Sequence, residues 1–272
     1  MDEQKLIKIQ KKLLNEKQVF GLEVTTKCNK NCYMCPRDNF KRKNLNMSKE
    51  TFEKFCSWIP EYCDVFFAGY GEPLLNKNLP YFVNKLFKKG IETSVMTNGK
   101  LLTPIKIREL FDNGLDRLQI SIILKDGIEQ IFKYTEMVIP SERHKVEFNI
   151  LYEDNMELPY DITEQIKNDG FKYCYKLIHN RGNELYEANW EHEIKTCGSF
   201  FILGDINSDG DFKICSQDIN GKYNFGNIFT NTFDEYKNFK KQFFGNKSII
   251  PNCEHCTDEY RLIHLYNYDN EL

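Results

Sequence analysis

Short apolar runs rich in β-branched and aromatic residues alternate with segments of helical periodicity. The runs predict six strands, at residues 19–26, 64–68, 91–97, 116–122, 145–152 and 171–178. The helical segments between them lie at residues 48–58, 79–89, 104–113, 127–137 and 161–169. Ser48 is placed to cap the first of these helices, and Gly90 to end the second. Because strands joined by helical crossovers pair in parallel, the pattern predicts an α/β fold with helices around a parallel sheet.

The pattern changes at residues 180–183, where Asn-Arg-Gly-Asn interrupts it. The elements predicted beyond this point are a β-hairpin with an Asp-Gly turn, a helix and a short terminal helix, at residues 200–206 with 211–216, 233–244 and from 253. So small a unit has little core of its own, and a bound metal would stabilise it. We therefore predict two domains, residues 1–183 and residues 184–272.

Composition and charge narrow the class of protein. The chain has 272 residues, of which 41% are hydrophobic and 28% charged, and this balance is typical of a folded globular protein. Its 37 basic and 40 acidic residues give no general electrostatic reason to bind nucleic acid or an anionic membrane. No apolar run approaches the ~18 residues of a membrane span, and the charged N-terminus lacks a signal peptide's apolar region. We expect a cytoplasmic protein without nucleic-acid or membrane partners.

Ten cysteines are many for a reducing compartment, where thiols serve as metal ligands, reactants or small buried side chains. Cys28, Cys32 and Cys35 form a C-x3-C-x2-C pattern in the loop after the first predicted strand. Three thiolates from one loop can hold three irons of a four-iron cluster and leave the fourth open, as a catalytic metal site requires. A zinc knuckle with a remote fourth ligand is the alternative.

This cysteine motif resembles that of the radical S-adenosylmethionine (radical SAM) enzymes. Tyr70-Gly71-Glu72-Pro73, after the second predicted strand, resembles the GGEP motif of that family. Tyr70 stands at the place of the motif's first glycine, and Gly69 precedes it. The resemblance implies a partial (β/α)6 barrel and a [4Fe–4S] cluster whose open iron binds S-adenosylmethionine. It also implies a flavodoxin- or ferredoxin-type reductant and cleavage of the cosubstrate to a 5′-deoxyadenosyl radical.

The resemblance also assigns cofactor contacts to residues near the strand ends. In the motif after the second strand, glycines let the backbone approach a ligand closely, and Glu72 can accept a hydrogen bond from an ammonium group. The residues expected to contact S-adenosylmethionine are Met34, Gly69, Gly71, Glu72, Asn98, Ser121 and Asn149. Each of these residue types also suits an ordinary turn or strand.

A second group of cysteines falls in the predicted C-terminal domain. Cys197, Cys215, Cys253 and Cys256 can close a tetrahedral site, and the last two form a C-x2-C pair, as many zinc ligands do. Their spacing is similar to that of the shortened SPASM ("twitch") domain, which carries one auxiliary four-iron cluster. The resemblance favours iron over zinc here, and therefore two [4Fe–4S] clusters in the chain.

Three cysteines remain outside both groups. Cys56 and Cys63 are expected to be structural. Cys174, on the sixth predicted strand, is either a buried strand residue or a hydrogen-atom donor to a substrate radical. Arg181, just past that strand, either lies in a solvated loop or fixes a substrate hydroxyl or carboxylate with its guanidinium. We take Cys174 and Arg181 as the candidate catalytic residues.

Three functions compete. The first is a radical SAM oxidoreductase of the dehydrogenase type, which takes a hydrogen atom from a small hydroxylated molecule such as a sugar or cyclitol and passes an electron to the auxiliary cluster. The second is a radical SAM enzyme that crosslinks or epimerises a ribosomally made peptide. Because the first strand begins at residue 19, we expect no additional N-terminal leader-binding domain, which favours the small molecule. The third is a non-catalytic module that binds zinc or clusters.

Overall fold

The computed structural model describes residues 2–181, 196–245, 249–254, 256–258, 263–265 and 267. Its helices are α1 (Glu3–Asn15), α2 (Lys49–Trp58), α3 (Leu79–Phe87), α4 (Pro104–Asp112), α5 (Gln130–Thr135), α6 (Tyr160–Asn168), α7 (Ser199–Ile202) and α8 (Phe233–Lys241). Its strands are β1 (Gln18–Leu22), β2 (Cys63–Phe67), β3 (Glu92–Thr97), β4 (Arg117–Ile123), β5 (Val146–Tyr152), β6 (Lys172–Leu177), β7 (Leu203–Ile206) and β8 (Phe212–Lys213).

All eight strands form one sheet in the order β6-β5-β4-β3-β2-β1-β7-β8. Every neighbouring pair is parallel except β7 with β8. The predicted α/β fold with a mostly parallel sheet is confirmed. Within the described part of the chain the two edge strands, β6 and β8, do not pair with each other, so the sheet is open.

The predicted helix ends follow local chemistry. The Ser48 side chain caps α2 by accepting a hydrogen bond from the Thr51 backbone N–H. Gly90, with φ of +71°, follows α3 in the left-handed conformation that glycine adopts without strain. The six strands predicted before residue 180 are all present, with ends that differ from the predictions by at most a few residues.

The hairpin of the predicted second domain is present but extends the main sheet. Strand β7 pairs in parallel with β1, from Val19 opposite Leu203 to Leu22 opposite Ile206. The short helix α7 occupies the start of the run that predicts a strand from residue 200. The boundary predicted between residues 183 and 184 lies outside the described residues, so the two-domain division stays a prediction.

Helix α1 is an element that the sequence pattern does not predict. Polar and charged residues make up most of its segment, yet Leu6, Ile9, Leu13 and Leu14 form one buried face. That face packs in a second apolar cluster that also contains Phe200, Phe201, Ile249, Ile250 and Leu265. Helix α1 therefore completes the apolar core of the C-terminal part.

The two faces of the main sheet differ in chemistry. Phe20, Val65, Val95 and Phe148 point to the helices and belong to the main apolar core. Alternate positions carry polar side chains such as Asn149, and the loop at the carboxyl end of β1 carries the C-x3-C-x2-C pattern, at the edge where ligands of parallel sheets gather. In the described residues, no helix is both long and apolar enough to cross a bilayer.

Candidate active site

The first cysteine set lies in the loop after β1. Cys28, Cys32 and Cys35 are each half-buried, and the Cys35 backbone N–H donates to the Cys32 carbonyl at 2.9 Å, which closes the loop. Burial raises the pKa of the Cys32 and Cys35 thiols. The Arg37 backbone N–H donates to the Cys35 carbonyl at 2.8 Å and, as a donor to the Cys35 sulfur, opposes this rise in pKa. Met34, buried between the second and third cysteines, anchors the loop to the protein.

Arg37 joins this loop to the segment after β2. Its guanidinium donates to the Thr26 carbonyl at 2.8 Å and to the Tyr70 carbonyl at 2.6 Å. The Thr26 hydroxyl donates to the Lys43 carbonyl at 2.8 Å, which holds the far end of the loop. The three cysteines therefore lie on a segment whose two ends are fixed to the sheet.

Glu72 is a buried carboxylate next to this loop, with 2% of its surface exposed. Its side chain accepts hydrogen bonds from the Thr97 hydroxyl at 2.7 Å, the Asn98 N–H at 2.8 Å and the Leu74 N–H at 3.1 Å. Burial raises its pKa, although these donors oppose the shift. A carboxylate has about four lone-pair sites, so one stays available, and a nearby cation would stabilise the ionised form.

Asn98 connects the carboxylate to the cysteines. Its backbone N–H donates to Glu72, while its side-chain amide donates to the Asn29 side chain at 2.9 Å and contacts the Cys28 sulfur at 3.8 Å. Three residues predicted from separate motifs, Cys28, Glu72 and Asn98, are thus brought together.

The glycines of the motif after β2 differ in how strictly they are needed. A Cβ atom on Gly71 would lie 2.0 Å from the Thr25 carbonyl oxygen, and one on Gly69 would lie 2.5 Å from the Glu23 side chain. Tyr70, between them, has no left-handed backbone conformation. Close approach of the chain therefore requires the two flanking glycines and leaves room for a side chain at position 70.

Ser121, Asn149 and Cys174 form one row across β4, β5 and β6. Register places Ser121 opposite Asn149, and Asn149 opposite Cys174. The Cys174 thiol donates to the Asn149 side-chain oxygen at 2.9 Å, and burial raises its pKa to about 11. Within the described residues, the Asn149 side-chain nitrogen is buried without a hydrogen-bond partner, so it is available to an acceptor on a bound molecule.

The second cysteine set combines residues from three separated segments. Cys197 interacts electrostatically with Cys253 and Cys256, and Cys215 with Cys197 and Cys253. Burial raises the pKa of the Cys197 thiol to about 12 and that of Cys215 well above its ordinary value. The Phe200 N–H donates to the Cys197 sulfur, and the Gln217 N–H to the Cys215 sulfur at 3.4 Å.

Arg181 and its neighbour His179 lie between the two cysteine sets, together with two residues that the sequence does not single out, Gln217 and Asp258. Arg181 has a left-handed φ of +53°, and its positive charge acts on both Cys35 and Tyr70. The Gln217 amide nitrogen donates to Asp258 at 3.1 Å, and His179 lies 3.8 Å from the same carboxylate. Gln217 and Asp258 each lie two residues after a predicted cysteine ligand, and this proximity is the signal that could have identified them.

No group of three or more His, Cys, Asp or Glu side chains in the described part of the chain converges enough to hold one metal ion. None of the ten cysteines forms a disulfide. Backbone N–H groups that donate to the Cys197 and Cys215 sulfurs suit thiolate ligands of an iron–sulfur cluster, whose properties are tuned by such hydrogen bonds. The donor sets therefore fit iron–sulfur clusters.

Comparison with known families agrees with this chemistry. The profile described as the radical SAM superfamily matches residues 22–122, and the one described as an iron-sulfur cluster-binding domain, SPASM, matches residues 197–257. Residues 22–122 are therefore a radical SAM domain, and residues 197–257 are a SPASM domain. These domains imply S-adenosylmethionine and iron–sulfur clusters as cofactors.

Curated proteins that are similar to part of this chain are named for different activities. A tungsten-containing aldehyde ferredoxin oxidoreductase cofactor-modifying protein of Pyrococcus furiosus is 31% identical over 37% of this chain and 29% of its own length. An S-adenosyl-L-methionine-dependent 2-deoxy-scyllo-inosamine dehydrogenase of Niallia circulans is 31% identical over 35% of this chain and 41% of its own length. A PqqA peptide cyclase of Bradyrhizobium diazoefficiens is 31% identical over 40% and 28%. The chain spans less than half the length of each of these relatives.

Solved structures share the fold across nearly the whole chain. BtrN in complex with AdoMet and 2-DOIA superposes with a TM-score of 0.68 at 20% identity, over 89% of this chain and 94% of BtrN. Histidine-tagged anSMEcpe with bound AdoMet gives a TM-score of 0.62 at 16% identity, over 94% and 96%. At this level of identity the likeness concerns the fold alone.

Proposed function

We propose that this radical SAM protein is an oxidoreductase that acts on a small hydroxylated molecule of the sugar or cyclitol type. The supporting observation is the position of Arg181 and Tyr70, which lie within electrostatic range of Cys35 and, for Tyr70, also of Cys215. A substrate held there would meet both cysteine sets. The relative named as a 2-deoxy-scyllo-inosamine dehydrogenase gives independent support.

In this proposal, Cys28, Cys32 and Cys35 hold a [4Fe–4S] cluster next to the S-adenosylmethionine site. When both are bound, they supply a 5′-deoxyadenosyl radical that removes a hydrogen atom from an unactivated carbon. The buried carboxylate of Glu72 pairs with the methionine ammonium group, and the Asn98 backbone N–H keeps that carboxylate oriented. The remaining predicted cosubstrate contacts are Met34, Gly69, Gly71, Ser121 and Asn149.

The residues between the two cysteine sets bind and orient the substrate. Arg181 presents a guanidinium whose buried Nε has no hydrogen-bond partner in the described residues, so it can donate to a substrate hydroxyl. Burial, with the Arg181 charge beside it, lowers the pKa of His179 to about 4 and keeps the imidazole neutral. The neutral ring, beside Asp258, can act as the acceptor for a proton that the substrate loses.

We further propose a second [4Fe–4S] cluster on Cys197, Cys215, Cys253 and Cys256. The SPASM match to residues 197–257, described as an iron-sulfur cluster-binding domain, favours iron over zinc at these cysteines. An external one-electron donor of the flavodoxin or ferredoxin type would reduce the protein.

A second candidate function is modification of a ribosomally made peptide. The relative named as a PqqA peptide cyclase favours it, as does the protonated Cys174 thiol beside Asn149, a suitable hydrogen-atom donor for epimerisation. An epimerase incorporates solvent deuterium at one product carbon, whereas a dehydrogenase forms a ketone. Product analysis in D2O with a panel of cyclitols, sugars and peptides separates the two candidates.

The class of reaction can be tested without knowing the substrate. We expect anaerobically reconstituted protein to release 5′-deoxyadenosine from S-adenosylmethionine under dithionite. Replacement of Cys28, Cys32 and Cys35 by Ala should abolish this release and remove about half of the iron. Cys56→Ala, which alters a buried cysteine outside both sets, is the matched control and should retain both. Cleavage that survives in the triple variant would refute the assignment.

A further inference from the structure

Tyr70 is held between two parts of the chain that are distant in sequence. It is buried, with 8% of its surface exposed. Its backbone N–H donates to the Glu23 carboxylate at 3.1 Å, and its carbonyl accepts from Arg37 at 2.6 Å. These bonds fix the backbone from which the side chain extends towards the second cysteine set.

The Tyr70 hydroxyl reaches the turn that carries Cys215. It donates to the Ser216 carbonyl oxygen at 2.8 Å, a contact between residues 146 positions apart. Burial raises the pKa of this hydroxyl, so it stays protonated and remains a donor. The opposite side of Ser216 is also held, because its backbone N–H donates to the buried Asp205 carboxylate.

The Ser216 carbonyl and the Gln217 N–H belong to one planar peptide group. The Gln217 N–H donates to the Cys215 sulfur at 3.4 Å. A hydrogen bond donated to the carbonyl of a peptide group polarises that group and strengthens its N–H as a donor. The Tyr70 hydroxyl therefore both orients and strengthens the bond that reaches the Cys215 sulfur.

We infer that Tyr70 is a positioning residue that raises the reduction potential of the cluster site on Cys215 through this shared peptide group. The inference rests on the proposed function, which places an iron–sulfur cluster on the four C-terminal cysteines. Hydrogen bonds to a ligand sulfur stabilise the more negative, reduced state of such a cluster. Tyr70 stands where the GGEP motif has glycine, which has no side chain that could make this contact. The departure from the motif thus has a physical role in the other half of the molecule.

The test is Tyr70→Phe, which removes the hydroxyl and keeps the ring. In the background Cys28→Ala/Cys32→Ala/Cys35→Ala, only the C-terminal cysteines bind a cluster, so its midpoint potential can be titrated by electron paramagnetic resonance. We expect full iron content and a more negative potential, with roughly a two- to fivefold lower ratio of reduced to oxidised cluster at a fixed potential. The hyperfine coupling of one exchangeable proton near the cluster should weaken as well.

Tyr62→Phe, which alters a tyrosine that is 72% exposed, is the control and should leave both signals unchanged. An unchanged potential in Tyr70→Phe, with iron at the parent level, overturns the inference and leaves the proposed function intact. Loss of iron in Tyr70→Phe also overturns it, since the hydroxyl would then be needed only for assembly. Zinc, or no cluster signal, in the parent would overturn the proposed function and the inference together.

Discussion

The two cysteine sets differ in how far apart along the chain their members lie. Cys28, Cys32 and Cys35 lie within eight consecutive residues, on a loop that β1 and Arg37 fix. The other set needs Cys197, Cys215 and the C-x2-C pair near the end of the chain to meet. A set within one loop can form as soon as that loop forms, whereas a set drawn from several segments depends on the tertiary fold.

The largest expected effect separates the two sets directly. In Cys197→Ala/Cys215→Ala we expect about half of the iron to be lost, because two of four ligands are missing. The melting temperature should fall, since metal binding to a small unit supplies part of its folding free energy. Slow cleavage of S-adenosylmethionine by the first set should survive. Iron and 5′-deoxyadenosine analyses are the measurements.

The control for that variant is Cys56→Ala/Cys63→Ala, which removes two buried thiols outside both sets. It should retain all of the iron. A double variant at Cys197 and Cys215 with the parent's iron content would show that these cysteines are not ligands.

The next effect concerns the link between the two regions. Glu23 forms a buried ion pair with Arg42, with contacts of 2.6 and 2.8 Å, and Arg42 also donates to Asn207 and to the Ile219 carbonyl beyond β7. Glu23→Gln leaves the Arg42 charge without its partner. We expect the free energy of unfolding to fall by about 3 kcal/mol, measured by urea denaturation at pH 7. Glu92→Gln, at an exposed glutamate of β3, is the control.

The same pair predicts a pH dependence. Burial opposes ionisation of Glu23, but Lys213 and Arg42 outweigh it and hold the pKa of Glu23 below its usual range. Its stabilising contribution is therefore complete above the unfolded-state pKa of ~4.3 and is lost as the pH falls through the folded-state value. Between pH 5 and pH 4, at the upper edge of this window, the parent should lose more stability than Glu23→Gln. Equal losses would contradict the assigned charge state.

A smaller effect is expected at the cosubstrate site. Glu72→Gln keeps the size of the side chain and removes its charge, so S-adenosylmethionine should bind about 10- to 100-fold more weakly, as for loss of one charged hydrogen bond. Equilibrium dialysis on the anaerobically loaded protein measures this. Iron content should stay at the parent level, because Glu72 is not a ligand. Unchanged affinity would remove Glu72 from the proposed contacts.

The smallest effect is expected at Cys174. Cys174→Ala should leave the iron content and the release of 5′-deoxyadenosine unchanged, because its thiol bonds to Asn149 and belongs to neither set. Loss of iron in this variant would mean that the division of the cysteines into two sets is incomplete.

The features that the sequence predicts are the local ones. The spacing of Cys28, Cys32 and Cys35 indicates a metal-binding loop because three thiols within eight residues can bind one metal group together. Alternation along β4 and β5 is enough to place Ser121 and Asn149 on one face, and their register then makes them neighbours. Ser48 caps its helix as its position predicts.

The features that the sequence does not predict depend on contacts between distant residues or on apolar positions that are interspersed with charged ones. The bond between Tyr70 and Ser216 depends on which strands adjoin, and no periodicity reports that order. Helix α1 is not predicted because its apolar face is narrow and lies among lysines. The residues that cover this face, such as Phe200, are far along the chain. The grouping of His179 with Asp258 likewise requires β6 to end beside the C-terminal cysteines.

The parallel pairing of β7 with β1 has a consequence for any shortened form of this chain. Without residues 203–206, β1 would become an edge strand, with a row of unsatisfied N–H and C=O groups. Truncation before that point should yield aggregates rather than a smaller soluble protein. During synthesis, β1 cannot pair with β7 until the ribosome has passed residue 206. Grafts that exchange the C-terminal unit between relatives should therefore keep β7 with the main sheet.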